Sequence, residues 1–399
     1  MRYHNKQIVL NLIRNKDLTS RAELSRLTGL SMPAIMKIVD FFIEVGVVEE
    51  MGTGVSTGGK PPKMLKFVEN AYYSVGVDLG ATNIICVLMN AHRVLKKLSV
   101  PTCFQQGPDE VIARIVDTIH KLVESSGIDW KKIIGVGIAV PGIIDVSEGQ
   151  VLFSPDIKWY NVDLISILQE KLHVRVYMDN ATRATAFGEK LYGEAKETED
   201  YMCINLGYGI GGAIVFHNEV YQGNGAAGEF GHMMVSPDGP QCDCGNYGCL
   251  EAVSSARAMV RDAKAGLETG TESMLRTAME NGEELSAKLI YNMASRGDDF
   301  SEKIVLDALR YLGAAIASVI NLLDIGLIIL EGGISRNGAY FTENLFAAVE
   351  KHRMPNVGQN TRIVVSKLGD VATAIGAASI VMNHLLESGG DVKLMMKMK

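Results

Sequence analysis

Apolar residues near the start of the chain recur three and four positions apart, at Ile8, Val9, Leu12 and Ile13. This spacing predicts a first helix. A short second helix is predicted over residues 20–28, with Thr19 or Ser20 as its N-cap, and Gly29 supplies the turn that follows. The pattern therefore predicts a helix, a short helix and a tight turn in succession.

A third helix begins after Ser31, which is placed to cap it, with Pro33 in its first turn. Its apolar stripe comprises Ile35, Ile38, Val39, Phe42 and Ile43. If this stripe packs on the first two helices, the opposite face presents Ser31, Met32, Ala34, Lys37 and Asp40. We predict a helix-turn-helix whose third helix reads a DNA major groove, with Ser31, Met32, Ala34 and Lys37 as contacts.

Two strand-like runs follow, Val47–Met51 and Met64–Val68, joined by a loop rich in glycine and proline. Lys60 and Lys63 stand near its end, where they could reach phosphates or a minor groove. This hairpin predicts a wing and completes a DNA-binding domain over residues 1–70. The other interpretation of the loop is a solvated linker.

From Tyr73 the sequence predicts a strand, a glycine-rich turn and a second strand, and this block recurs later in the chain. The turn positions are Asp78, Gly80 and Thr82 in the first copy and Gly207 and Gly209 in the second. The repetition predicts a duplicated α/β domain with a cleft between two lobes. Such turns bind phosphate through backbone N–H groups, or they are simply tight turns, and the pattern leaves both interpretations open.

One histidine and three cysteines form the strongest chemical signal: His232, Cys242, Cys244 and Cys249. Together they supply the four ligands of a closed tetrahedral Zn²⁺ site, which is structural rather than catalytic. A redox thiol cluster would be the alternative, but the C-x-x-C spacing is missing and the histidine would have no role. The remaining cysteines, Cys86, Cys103 and Cys203, are predicted to be small core residues.

Charge separates the beginning of the chain from the rest. Residues 1–69 hold ten Lys and Arg against seven Asp and Glu, whereas the whole chain has a formal net charge of −7. A positive N-terminal region in an acidic protein favours nucleic acid as its partner. No signal peptide is predicted, and the apolar stretch Leu312–Leu330 is predicted to be a buried helix, a turn and a buried strand. We therefore expect a cytoplasmic protein without a membrane partner.

The run from Gly228 to His232, followed by the run from Cys242 to Glu251, closely resembles the zinc motif of the ROK family of bacterial sugar kinases and sugar-responsive repressors. The resemblance implies an actin-like, ribonuclease H-like domain of two lobes. These would be residues 71–180, with a C-terminal helix at about 375–399 packing back on them, and residues 181–374, which hold the zinc site. The N-terminal winged helix-turn-helix resembles the repressor branch.

The resemblance also implies a sugar site. Matched motif by motif, it comprises Gly142, Asn161, Asn180, Glu229, His232 and Glu251. Carboxylates and amides pair well with vicinal hydroxyls, and His232 could bind zinc through one ring nitrogen while the other faces the sugar.

Kinases of this family carry a catalytic Asp directly after the Asn that corresponds to Asn180, but here that position is Ala181. Asp179 precedes Asn180 and points to the opposite side of an extended segment. A Gly-Thr-Lys run is replaced by Ala81-Thr82-Asn83, and the Thr of a second loop is replaced by Tyr208. The glycine turns at Asp78, Gly80, Thr82, Gly207 and Gly209 are thus predicted to be vestigial phosphate loops. The later Leu330–Gly333 and Gly369–Ala372 segments, where kinases of the family hold adenosine, are predicted to be inherited turns.

The sequence therefore predicts a sugar-responsive transcriptional repressor that binds operator DNA as a homodimer or homotetramer and has no catalytic residues. The alternative is an ATP-dependent sugar kinase of the glucokinase or N-acetylhexosamine kinase type, alone or in a bifunctional protein. The hydroxyl-pairing residues do not distinguish hexoses, amino sugars, pentoses and phosphorylated sugars.

Overall fold

A computed structural model describes residues 2–54 and 61–396. Its first part is a small three-helix unit with a three-stranded antiparallel sheet in the order β1-β3-β2. The elements are α1 (Arg2–Arg14), β1 (Thr19–Ser20), α2 (Arg21–Thr28), α3 (Met32–Glu44), β2 (Val48–Thr53) and β3 (Lys63–Phe67). The predicted succession of helices and the hairpin are present, and the two-residue strand β1 was not predicted.

Local chemistry explains where these helices begin and end. The Ser20 side chain accepts a hydrogen bond from the Glu23 N–H at 3.2 Å, and Gly29 ends α2 at a φ of +70°. Ser31 occupies the N-cap position of α3, but its side chain makes no capping hydrogen bond, contrary to the prediction. In α1, Leu10 is fully buried whereas Ile8 is 38% exposed, so the buried face is rotated from the predicted one.

The next part is built on a mixed sheet in the order β11-β7-β4-β5-β6. A second, small antiparallel sheet, in the order β10-β9-β8, lies beside it. The elements are β4 (Tyr73–Leu79), β5 (Asn83–Met89), β6 (Val94–Pro101), α4 (Pro108–Glu124), β7 (Ile133–Val140), β8 (Ile143–Asp145), β9 (Gln150–Ser154), β10 (Trp159–Val162), α5 (Leu164–Leu172) and β11 (Val176–Asn180).

The last part repeats this plan on a sheet in the order β14-β13-β12-β15-β16. Its first strand pairs antiparallel with the second and parallel with the fourth, as in the preceding sheet. The elements are α6 (Ala181–Tyr192), β12 (Tyr201–Leu206), β13 (Ile210–Phe216), β14 (Glu219–Val220), α7 (Leu250–Ser254), α8 (Ala256–Glu268), α9 (Met274–Glu280), α10 (Ala287–Ala294), α11 (Asp299–Leu323), β15 (Leu327–Glu331), α12 (Gly338–His352), β16 (Arg362–Val365), α13 (Ala372–Glu387) and α14 (Val392–Met396). The duplicated, two-lobed α/β architecture is confirmed, while the domain boundaries at residues 70, 180 and 374 remain predictions.

Helix α13 packs on β4, β7 and α6 with the backbones in contact. A Cβ on Gly137 of β7 would lie 1.9 Å from the Ala377 carbonyl oxygen, and one on Gly376 would lie 1.8 Å from the Ala184 carbonyl oxygen. Only glycine permits such close approaches, so α13 is fixed tightly against both the sheet of the first lobe and α6.

The other end of α13 belongs to the core of the N-terminal unit. One apolar cluster contains Leu10 of α1, Phe42 of α3, Leu385 of α13 and Met395 of α14. After α13, a turn at Gly389 and Gly390 approaches the N-terminal unit so closely that a Cβ on Gly390 would lie 3.1 Å from Leu10. The three-helix unit and the large domain therefore share a hydrophobic core.

Two helices, Asp299–Leu323 and Gly369–Glu387, are long and apolar enough, by length and composition alone, to cross a membrane. Both are mostly buried inside the protein, as core helices are. The stretch Leu312–Leu330 is a buried helix, a turn and a buried strand, as the sequence predicted.

Candidate functional site

A cavity of about 650 Å³ lies between the two large sheets. Five residues that the sequence assigned to a sugar site line it, namely Gly142, Asn180, Glu229, His232 and Glu251. They come from the end of β7, the start of α6, the loop after β14 and the start of α7. The volume is in the range of small-molecule pockets.

Asn180 and Gly142 shape one wall of the cavity together. The Asn180 side chain caps α6 by accepting from the Thr182 N–H at 2.9 Å, and its Nδ2 donates to the Gly142 carbonyl oxygen at 3.0 Å. Gly142 has a φ of +96°, and a Cβ there would lie 2.3 Å from the Phe153 carbonyl oxygen. The wall thus depends on a glycine at position 142.

Asn161, the sixth predicted sugar contact, lies elsewhere. It is exposed on β10, the edge strand of the small sheet, with a φ of +50°. It is not among the described residues that line the cavity. The structure therefore does not bring Asn161 together with the other five.

His232, Cys242, Cys244 and Cys249 come together beside the cavity, with all four ligand atoms within 4.8 Å of one another. The Cys244 and Cys249 sulfurs are 3.8 Å apart, and His232 Nδ1 is 3.7 Å from the Cys242 sulfur. Zn–S bonds of about 2.3 Å in a tetrahedron put two sulfurs about 3.8 Å apart, so the spacing suits a tetrahedral metal ion.

The cluster of one histidine and three cysteines is tied to the cavity through His232 and Glu251. While Nδ1 of His232 faces the cysteines, its Nε2 lies 3.8 Å from Glu229 Oε2 in the cavity. Glu251 accepts from the Ile210 N–H at 2.8 Å and from Arg257 at 3.0 Å. Metal binding at this cluster would fix the orientation of His232 and of the loop that carries it.

Asp156 and Arg183, two charged residues that line the cavity, escaped the sequence analysis. The Asp156 Oδ1 is buried without a hydrogen-bond partner among the described residues, and burial, aided by the charge of Glu251, raises the pKa of Asp156 to about 7. Arg183 donates to Asp179 at 2.7 Å and to the Gly225 carbonyl oxygen at 3.0 Å. Neither residue belongs to a motif, so the sequence offered no signal for them.

Four of the predicted phosphate-loop residues, Asp78, Gly80, Thr82 and Gly207, line the other half of the cavity, and the fifth, Gly209, lies beside Glu251 and Asp156. Their turns are closed by their own backbone, because the Gly80 N–H donates to the Asn83 carbonyl oxygen and the Gly207 N–H to that of Gly209, each at 3.0 Å. Carboxyl groups stand in this half as well. Burial raises the pKa of Asp78 to about 7 and that of Glu331 to about 8.

Ala181 lines the cavity at the first position of α6. Asp179 is not among the described residues that line the cavity. Its Oδ1 accepts hydrogen bonds from Arg183 Nε and from the Asn180 N–H, both at 2.7 Å. The carboxylate nearest in sequence to Ala181 is therefore directed to a salt bridge.

The predicted DNA contacts lie on one face of α3. Ser31, Met32 and Lys37 are exposed and Ala34 is partly exposed. Met36, one helical turn beyond Met32, is 48% exposed and was missed, although the spacing of four residues could have identified it. In the wing, Lys63 is exposed and contacts Glu50 of β2, whereas Lys60 lies outside the described residues.

Arg21 links the three parts of the N-terminal unit. Its guanidinium donates to Asp40 of α3 at 2.9 Å and to Glu50 of β2 at 2.7 Å. These ion pairs hold α2 against both the third helix and the hairpin.

Comparison with known proteins agrees with this description. The profile of the ROK family matches residues 74–384, and the chain belongs to that family. It is 32% identical to a xylose repressor of Caldicellulosiruptor bescii over 96% of each chain. It is 34% identical to a glucokinase of Thermotoga maritima over 78% of this chain and 98% of the kinase.

The solved structures place the chain in the same family. The crystal structure of a ROK family transcriptional regulator, a homolog of the E. coli MLC protein, superposes with a TM-score of 0.81 at 28% identity. That match covers 99% of this chain and 98% of the regulator. The similarity to regulators thus includes the N-terminal unit, whereas the match to the glucokinase covers a smaller share of this chain.

Proposed function

We propose that this protein is a sugar-responsive transcriptional repressor of carbohydrate-utilisation genes. The observation that carries the proposal is the path of one helix. Helix α13 begins two residues after Asp370 and contains Thr373, and both of these residues line the cavity. The helix ends in the core shared with the N-terminal unit. A ligand-binding cavity and a candidate DNA-reading helix are thus joined by a single rigid element.

The N-terminal unit supplies the DNA-binding surface. Ser31, Met32, Ala34 and Lys37 on α3 would contact a major groove, and Lys60 and Lys63 of the wing would reach the flanking backbone. A second copy of the chain, in a homodimer or homotetramer, would place another such helix on the second half of a palindromic operator. We place the protein in the cytoplasm, where its operator is.

The cavity supplies the sugar site. Gly142, Asn180, Glu229, His232 and Glu251 converge there, and their oxygens and ring nitrogen suit hydroxyl groups. We also retain Asn161 as a proposed contact, which closure of the cleft would have to bring nearer. Zn²⁺ bound by His232 and the three cysteines would have a structural role, because four protein ligands leave no position for a substrate or water.

We propose that the protein is not a sugar kinase. Phosphoryl transfer needs a carboxylate base on the acceptor hydroxyl, and the methyl group of Ala181 cannot accept a proton. Asp179 does not replace it, because that carboxylate is committed to Arg183. The five residues of the glycine turns would then be remnants of a phosphate site.

Sugar binding can change DNA affinity only if the sugar binds one conformation better than another. Helices α6 and α13 both begin at the cavity and cross in backbone contact at Gly376. Movement of α6 as the cleft closes would therefore be passed to α13. Because Leu385 lies in the shared core, the DNA-reading unit would turn with the helix.

The test is operator binding by the purified protein across a panel of sugars, with ATP hydrolysis measured in the same samples. We expect one sugar to release the operator without ATP turnover. Glu229→Ala should abolish this release and preserve operator affinity, whereas Lys37→Ala should weaken operator binding and preserve sugar affinity. Glu219→Ala, an exposed glutamate on β14, is the matched control. Sugar-dependent ATP consumption would instead establish a kinase.

A further inference from the structure

We infer that the effector carries no negative charge: the cavity is built for an uncharged sugar, or one with an amino group, and rejects sugar phosphates. This inference rests on the proposed function and specifies the ligand of the same site. It follows from which charged groups in the cavity already have partners and which do not.

In the sugar half, the groups left without strong partners are acids. Among the residues that the structure describes, none offers a hydrogen bond to the buried Oδ1 of Asp156. Glu229 is 40% exposed, and within residues 2–54 and 61–396 its one ion-pair contact is His232 at 3.8 Å. Two carboxyl groups that lack a donor suit a ligand that brings hydroxyl or ammonium hydrogens.

The buried cations near these acids are already committed. Arg183, 5% exposed, donates to Asp179 and to the Gly225 carbonyl oxygen. Arg257 donates to Glu251 and contacts Asp243. Among the described residues around the sugar half, neither guanidinium is free for a phosphate without breaking a bond to the protein.

The other half of the cavity also has few free N–H groups or cations that could bind a phosphate. The Gly80 and Gly207 N–H groups are bonded within their own turns, and the carboxyl groups of Asp78 and Glu331 stand beside them. Arg336 lines this end, but it is exposed and its charge already acts on Asp370. A phosphate bound here would give up its hydration and meet two buried carboxyl groups and the exposed guanidinium of Arg336.

Asp156 is therefore the residue that we expect to set the preference. A hydroxyl of the sugar would donate to its unpartnered Oδ1, which satisfies a buried polar atom. A phosphate at the same place would bring its charge against a buried carboxyl group that already stands beside the charge of Glu251. The selectivity would thus arise from the protein's own acid rather than from the size of the cavity.

The experiment measures binding of D-xylose, D-glucose and N-acetylglucosamine, and of the phosphate ester of each, by titration calorimetry with the full-length protein. We expect at least one free sugar to bind and its phosphate ester to bind at least ten-fold more weakly. Asp156→Asn keeps the shape of the side chain but cannot carry a negative charge. In this variant the difference in affinity between the free sugar and its phosphate ester should shrink at least three-fold. Asp109→Asn, which removes one exposed charge on α4, should leave it unchanged.

The outcomes separate the two proposals. A phosphate ester that binds as well as its free sugar, or better, overturns the inference and leaves the repressor intact. Binding of phosphate esters that is lost in Arg336→Ala would show that the other end of the cavity accepts the phosphate, and would also overturn it. If none of the six compounds binds, the proposed sugar sensor fails and the inference fails with it. If Asp156→Asn is folded by circular dichroism and still prefers the free sugar to its phosphate ester as strongly as the wild type does, Asp156 is not the source of that preference.

Discussion

Arg183 and Asp179 form a salt bridge of 2.7 Å across one turn at the start of α6, and Arg183 also bonds to the Gly225 carbonyl oxygen. This pair joins the last strand of the first sheet to a loop that follows β14. The only aspartate beside Asn180 thus holds the two lobes together at the cavity.

Removing Asp179 should therefore destabilise the protein rather than alter a reaction. Asp179→Asn leaves the buried guanidinium of Arg183 without its anion, and we expect a loss of about 2–3 kcal/mol in the free energy of unfolding, measured in urea. Asp262→Asn breaks an exposed pair with Arg261 and should cost less than about 0.5 kcal/mol. Sugar-dependent ATP hydrolysis that is present in the wild type and lost in Asp179→Asn would contradict our assignment of a structural role.

The cysteine cluster should hold one zinc ion per chain, detectable by mass spectrometry of the purified protein. Cys244→Ser should remove the metal and weaken sugar affinity by about 10- to 100-fold, because His232 loses its fixed orientation. Cys103→Ser lies outside the cluster and serves as the control. Unchanged sugar affinity in metal-free Cys244→Ser would separate the metal from the sugar site.

Helix α13 should transmit the sugar signal. Leu385→Ala thins the shared core, so we expect sugar affinity to stay within two-fold of wild type while the effect of sugar on operator affinity falls by at least five-fold. Leu275 lies in a different core, and Leu275→Ala should therefore preserve the effect of sugar on operator affinity. Each variant removes a buried leucine, so each should lower the free energy of unfolding by about 2–4 kcal/mol. If sugar changes operator affinity by the same factor in the two variants, the signal does not pass through the shared core.

Glu331 should make the protein less stable as the pH rises. Its pKa is raised to about 8 in the folded chain by burial, despite a hydrogen bond from Asn205 at 3.1 Å, so the folded state keeps its proton where the unfolded state has lost it. Its stabilising contribution is complete below the unfolded pKa of about 4.5 and disappears as the pH rises to about 8, with a slope of up to about 1.4 kcal/mol per pH unit.

Glu331→Gln removes this titration, so the free energy of unfolding should fall less between pH 5 and pH 8 than in the wild type. Glu343→Gln, an exposed glutamate on α12, is the control. Parallel pH profiles for wild type and Glu331→Gln would show that the carboxyl is ionised at neutral pH in the folded protein.

Patterns that repeat along the chain were sufficient for much of the fold. The stripe containing Ile35, Val39 and Phe42 is buried as its spacing predicted, and the repeated strand-turn-strand block became two equivalent sheets. The close spacing of Cys242, Cys244 and Cys249 likewise predicted a cluster that the structure brings together. These features are local, so the sequence alone specifies them.

Features that depend on distant parts of the chain could not be predicted in this way. Asp156 follows a proline in an irregular segment, and only the fold places it beside Glu251. Asn161 resembled a sugar contact by its motif, yet the edge strand β10 leaves it exposed. The shared core of α1, α3 and α13 joins residues separated by more than three hundred positions, and no periodicity records such a contact.

That shared core also constrains the order of events during synthesis. Leu10 and Phe42 leave the ribosome early, whereas Val392 and Met395, which complete the same apolar cluster, are translated hundreds of residues later. At bacterial rates of roughly 5–20 residues per second, the interval is tens of seconds. Throughout it, the inner face of the nascent N-terminal unit lacks the side chains of α13 and α14 that cover it in the finished protein. A growing chain thus completes the core of its first domain only after the large domain has been made.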